Sequence, residues 1–104
     1  MKVFLKSKRN NLNAFGEYCP ENGSLVVLKG SILSGTVSES KTFRGRNTIL
    51  NTREGIVVDC ILQEDIQFKS PSTAANFVTG TSSNGNRLWK TEDGTPIGKL
   101  REEM

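Results

Sequence analysis

The 104-residue chain has no histidine, two cysteines, three prolines, one tryptophan and one tyrosine. Without an imidazole, Ser-His-Asp and Cys-His nucleophile arrangements are excluded, because both need a base that titrates near neutral pH. Cys19 and Cys60 lie far apart with no C-x-x-C spacing. Two thiolates cannot fill a four-ligand zinc site, so neither a metal centre nor a disulfide framework is expected, and both cysteines are expected as small, partly buried core residues. No window reaches the ~18 consecutive apolar residues of a membrane span. Lys2, Lys6, Lys8 and Arg9 make the N-terminus basic, but no apolar stretch with a small-residue cleavage site follows. A signal peptide is therefore not expected, and a cytoplasmic location is the default. No G-x-x-x-x-G-K-[ST] is present, which excludes a nucleotide P-loop, and no cofactor is expected.

What is present suits one small globular domain over residues 1–104: 35% of residues are hydrophobic and 24% charged. The acidic residues come in pairs, Glu64-Asp65, Glu92-Asp93 and Glu102-Glu103, each in an expected turn or terminus. Such pairs read as solvated turn charges rather than a general acid and base, which makes an enzyme the weakest of three functional hypotheses. The charge is unevenly spread. Residues 1–53 carry nine Lys/Arg against three Glu, while residues 54–104 carry five against eight Asp/Glu. A basic half suits an anionic partner such as DNA through phosphate neutralisation. The structural alternative is a solvated surface with chance clustering.

The first third reads as an antiparallel meander: Val3–Lys6, Leu12–Tyr18, and an inner strand over Leu25–Leu28. Gly30–Ser40 shifts to Ser, Gly and Thr and is expected as a loop. Phe43–Glu54, followed by Gly55, reads as a helix. At about 100° per residue Arg46 and Arg53 fall beside Ile49 and Leu50, where they either run along the edge of the apolar stripe or line a groove. Ile56–Phe68 reads as a hairpin or two short strands. Ser70 (N-cap), Pro71 (first helical position) and Gly80 (terminator) then delimit a helix over 71–79. Ala74, Ala75, Phe77 and Val78 form its core face; Ser72, Thr73, Asn76 and Thr79 form a polar face without charge. Asn84-Gly85 reads as a positive-φ turn, and Arg87–Lys90 with Pro96–Leu100 as a closing hairpin over Asp93-Gly94. The fold class expected is α+β, a small antiparallel sheet with two short helices.

The VVLKGS stretch (Val26–Ser31), the arginine-bearing helix, F-x-S-P-S-T-A-A-x-F-V-x-G (Phe68–Gly80), Ser82, Asn84-Gly85, Trp89-Lys90 and Asp93-Gly94 together resemble a known small bacterial domain of unknown function. That domain is appended to the C-terminus of GIY-YIG-type nucleases. More loosely, the chain is similar to the RAMA domain of restriction systems, proposed to read modified DNA. The resemblance implies an α+β adaptor without a catalytic centre, a DNA-associated role, and a nuclease or methyltransferase as protein partner. This chain departs from that arrangement in carrying no nuclease domain.

Two readings of the TSSNGN run (Thr81–Asn86) stay open. It is a turn that lets Trp89 anchor the core, or part of a surface in which Ser72, Asn84, Arg87 and Lys90 contact a phosphate or a base edge. With Arg44, Arg46 and Arg53 of the preceding helical segment, these four are the candidate nucleic-acid-binding residues. The alternative is a protein-interaction module docking through the uncharged helix face or the sheet.

Overall fold

The computed structural model describes residues 1–8, 11–35 and 46–102, with the side chains of all of these but 46 and 100–102. Alternating apolar residues form the first two strands. β1 (Lys2–Ser7) buries Val3 and Leu5, and β2 (Leu12–Tyr18) buries Leu12, Ala14, Gly16 and Tyr18. They pair antiparallel from Lys2↔Glu17 to Ser7↔Leu12. The next turn is held by Asn22, whose Oδ1 accepts the Ser24 N–H at 2.9 Å, and it leads into β3 (Leu25–Val27). Helix α1 (Arg46–Arg53) is followed by β4 (Val57–Val58), β5 (Ile61–Leu62) and β6 (Ile66–Phe68). The main sheet has the order β1-β2-β3-β6, so the Leu25 segment is an inner strand as expected, and β4 and β5 form a separate two-stranded ribbon. That ribbon turns at Asp59 and Cys60, both at positive φ, and the Ile56–Phe68 stretch thus holds three short strands rather than two.

Helix α2 (Pro71–Thr79) has the expected bounds. Ser70 Oγ accepts the Thr73 N–H at 3.2 Å, proline opens the first turn, and Gly80 takes φ 75°, a left-handed conformation that costs a residue with a Cβ more than it costs glycine. Ala74, Ala75, Phe77 and Val78 are buried against the inner face of the sheet, in one core with Val3, Leu5, Leu25 and Val27. Cys19 and Cys60 are half-buried and not joined to each other.

One expectation is borne out with an addition and one is corrected. The described part of the loop over Gly30–Ser40 contains no helix or strand, but it is packed into the core. Ile32 exchanges two backbone hydrogen bonds with Asn13, Leu33 is buried, and Ser31 is buried with its Oγ accepting the Phe15 N–H and donating to Leu28 O at 2.8 Å. An apolar pair and one hydroxyl that satisfies its own burial draw residues 31–33 into the core; residues 36–40 lie outside the described part.

The correction concerns the closing hairpin. The chain forms α3 (Gly85–Leu88) and α4 (Ile97–Glu102), and the hairpin across Asp93-Gly94 is reduced to the Lys90↔Pro96 bridge with the flanking bonds of Thr91 N–H to Thr95 O and Ile97 N–H to Trp89 O. Asn84 has φ −92° and acts as an N-cap, its Oδ1 accepting the Asn86 N–H at 3.1 Å. Gly85 has no positive φ; it is needed for contact, because a Cβ there would collide with the carbonyl carbon and oxygen of Pro71 and with the Ser72 nitrogen. Gly98 similarly lets α4 approach Asn86, where a Cβ would come within 3.0 Å of that residue's own Cβ. Trp89 leaves α3 fully buried and donates from Nε1 to Pro71 O at 3.0 Å, which anchors the core as one of the two sequence readings requires.

Gly85→Ala is therefore expected to destabilise the fold toward the upper end of the about 1–3 kcal/mol seen for overpacking, although alanine is the better helix former. Urea denaturation checks this; an unchanged midpoint would mean that α3 does not sit on Pro71.

Candidate functional site

The uncharged face of α2 has a structural use. Segment 80–85 crosses the helix and needs acceptors for its amides, which Ser, Thr and Asn supply and Lys does not. Ser72 Oγ accepts the Gly85 N–H at 3.2 Å, Asn76 Oδ1 accepts the Ser83 N–H at 2.8 Å, and the Thr79 and Ser83 hydroxyls meet at 2.8 Å. With α3 seated on Pro71, the start of α2 is covered and does not form an open phosphate cradle.

Arg53 is likewise engaged within the protein. Its Nε and Nη2 donate to Phe77 O at 3.1 and 2.5 Å, Nη2 also approaches Val78 O at 3.3 Å, and Nη1 donates to Ser34 O at 2.8 Å. Its guanidinium carbon lies 5.6 Å from the centroid of the Phe77 ring. The last carbonyls of a helix have no partners within it and carry partial negative charge, so a planar cationic fork suits this position. Burial lowers the basicity of Arg53, and the nearby Cys60 thiol offsets part of that effect. An arginine starts so far above neutral pH that it stays charged.

A groove of about 980 Å3 opens between β1 and the segments that follow α2 and α3. Phe4, Leu5, Leu12 and Leu88 supply apolar lining, and Thr81, Ser83 and Thr91 add hydroxyls. Lys6 and Lys90 are its cations and Glu92 its carboxylate. Lys6 Nζ lies 5.1 Å from the centroid of the Phe4 ring. Among the described residues the salt bridge found joins the Met1 amine to Glu17, so neither groove lysine is neutralised by a carboxylate there. The backbone of β1 is also open. Phe4 exchanges hydrogen bonds of 2.7 and 2.9 Å with Lys90, which places the even-numbered residues of β1 on the outer edge. Lys6, in register with Asn13 of β2, is the next of these, and on the outer edge its backbone meets no hydrogen-bond partner among the described residues.

Of the candidate residues whose side chains are described, Lys90 alone lines the groove. Ser72 and Asn84 lie together at the α2–α3 contact and hold backbone there; Arg87 is exposed on α3. Arg53 is at the opposite end of α2 from that contact. Arg46 opens α1 with its side chain outside the described residues, and Arg44 lies outside them altogether. The residue that sequence reasoning missed is Lys6. Alternation makes it an exposed β1 position, but only the pairing of Phe4 with Lys90 brings the two lysines to one groove.

The paired carboxylates Glu64, Asp65, Glu92 and Asp93 are exposed. Asp65 accepts the Lys29 N–H at 2.8 Å, and Asp93 organises the 91–95 turn by accepting from the Thr91 hydroxyl and the Thr95 N–H. The Thr91 hydroxyl, followed by the groups of Thr95, holds the Asp93 carboxyl below the usual carboxylate range. Among the described residues no three of His, Cys, Asp and Glu gather where they could hold a metal ion. No described helix is long and apolar enough to cross a membrane.

The fold and groove define a small α+β domain with a cationic cleft along a strand edge. Residues 4–101 match the profile of DUF4357, a domain of unknown function, and the chain belongs to that family. No curated protein and no solved structure matches it.

Replacing Arg53 with Met should leave the Phe77 carbonyl at the α2 terminus without its side-chain donors, while Val78 O keeps the Ser34 N–H, and should destabilise the fold by about 1–3 kcal/mol, with Lys a poor substitute because it lacks the fork. Thermal melting of both variants checks this; full stability of the Lys variant would mean that charge alone suffices. Asp93 gives a pH signature. A carboxylate with a lower pKa folded than unfolded stabilises the fold above its unfolded pKa, and the contribution fades as pH falls through the folded value. The stability difference between the parent and Asp93→Asn should thus be present at neutral pH and vanish in acid. A difference that is constant with pH would show that the charge plays no part.

Proposed function

We propose that this chain is a non-catalytic accessory domain that binds the phosphate backbone of nucleic acid in the groove beside β1. The observation that carries the reading is the pairing of Lys6 and Lys90 in one groove, with no ion-pair partner among the described residues, beside the open backbone N–H of Lys6. Ammonium groups, hydroxyls and backbone N–H groups are the donors that phosphate oxygens accept from. The excess of Lys/Arg in residues 1–53 adds long-range attraction. The exposure of the paired carboxylates supports the non-catalytic part. The resemblance to domains appended to GIY-YIG-type nucleases and to the RAMA domain adds the context of restriction, with DNA as the nucleic acid and a nuclease or methyltransferase as protein partner.

A protein-interaction module is the second reading. Val58 and Ile61 face each other across the β4–β5 ribbon and are 55% and 40% exposed, more than large apolar residues in a small domain usually are.

Titration of labelled oligonucleotides at low and raised salt separates the two. Binding should weaken as salt rises. A Lys6→Ala/Lys90→Ala double variant should bind all sequences more weakly, with the slope of log K against log salt reduced by about 0.9 per lost contact on a duplex. No binding at low salt, or a double variant that binds like the parent, would overturn the nucleic-acid reading in favour of a protein partner.

A further inference from the structure

Resting on that reading, we infer that the groove takes a single strand rather than a duplex, with Phe4 as a stacking surface for one base. The observation is the company the two lysines keep. A site for a duplex backbone meets sugars and phosphates, and polar and cationic residues suffice for it. Here Lys6 and Lys90 share a groove with Phe4 and Leu88, both half-buried, above the core residues Leu5 and Leu12. Such apolar lining gains nothing from a phosphate, whereas an unstacked base brings an apolar face. Aromatic side chains beside a cationic track are the usual means of holding single strands, and they tolerate any sequence because every base has a π face.

The geometry of the groove agrees. Its volume of about 980 Å3 lies at the upper end of small-molecule sites, enough for a few nucleotides of one strand. The lysines lie along a concavity beside a strand edge, not on an element shaped to enter a duplex groove about 12 Å wide. Phe4 is half-buried, so part of the residue stays accessible. Lys6 Nζ is 5.1 Å from the centroid of that ring. A base that stacks on Phe4 displaces this ammonium toward the adjoining phosphate, so one movement exposes the ring and neutralises the backbone. The Thr81 hydroxyl remains for a sugar or phosphate oxygen, while those of Ser83 and Thr91 are engaged with Thr79 and Asp93.

The test compares a labelled oligo-dT of about 12 nucleotides with a duplex of equal length, by fluorescence anisotropy on the full chain. The strand should bind about tenfold more tightly than the duplex, and Phe4→Leu should remove most of that difference. A strand carrying 2-aminopurine supplies a readout that needs no variant, since stacking on Phe4 should quench its fluorescence on binding to the parent protein. Equal or tighter duplex binding overturns the inference alone. Strand binding without quenching, or displacement of the strand by poly-glutamate at matched charge, also overturns it, since the groove would then read charge only. Failure to bind either nucleic acid removes the nucleic-acid reading itself.

Discussion

The arrangement of the C-terminal third depends on the contact between Gly85 and the first turn of α2. Two backbones approach there more closely than any side chain would allow, and the Trp89 indole, four residues on, donates to the same carbonyl that Gly85 covers. With both ends of α3 tied to Pro71, the chain leaves α3 in one direction only. It brings Lys90 alongside Phe4, and the Thr91–Thr95 turn follows. The groove beside β1 is a consequence: its far wall is made of residues whose positions descend from that one contact.

At the other end of α2 the same need for hydrogen bonding is met by different chemistry. The helix finishes against Ser34 and α1, and Arg53 supplies donors to carbonyls that the helix leaves without partners. A cation on an apolar stripe invites a ligand as its explanation. Here the ligand is the protein itself, because the partial charge at a helix terminus and a planar fork with several donors complement each other. Among the described residues, the cations of the groove are Lys6 on β1 and Lys90 just past α3.

How much was legible can be followed residue by residue. Ser70, Pro71 and Gly80 marked the helix correctly because each acts through its own backbone: a capping hydroxyl, a fixed φ and a tolerated left-handed turn. The alternation in β1 and β2 likewise revealed which side is buried. Asn84-Gly85 misled, since the same dipeptide serves a hairpin turn or a capped helix whose first residue must lack a side chain. Nothing local distinguishes the two; the neighbour that forbids a Cβ is Pro71. Lys6 was missed for a related reason, as its significance lies in a partner near the other end of the chain.

The sequence by itself determined the α+β class, the bounds of α2 and the exposure of Glu64, Asp65, Glu92 and Asp93. All of these follow from periodicity, capping and composition, which are properties of neighbouring residues. Only the tertiary structure decided that Arg53 serves a helix terminus, that the polar face of α2 holds down a loop, and that Lys6 and Lys90 share a groove. Each of these is a pairing of hydrogen-bond donors, acceptors or charges from distant parts of the chain. Such groups are specified by where the backbone finally places them, and a side chain's own identity leaves several partners equally suitable.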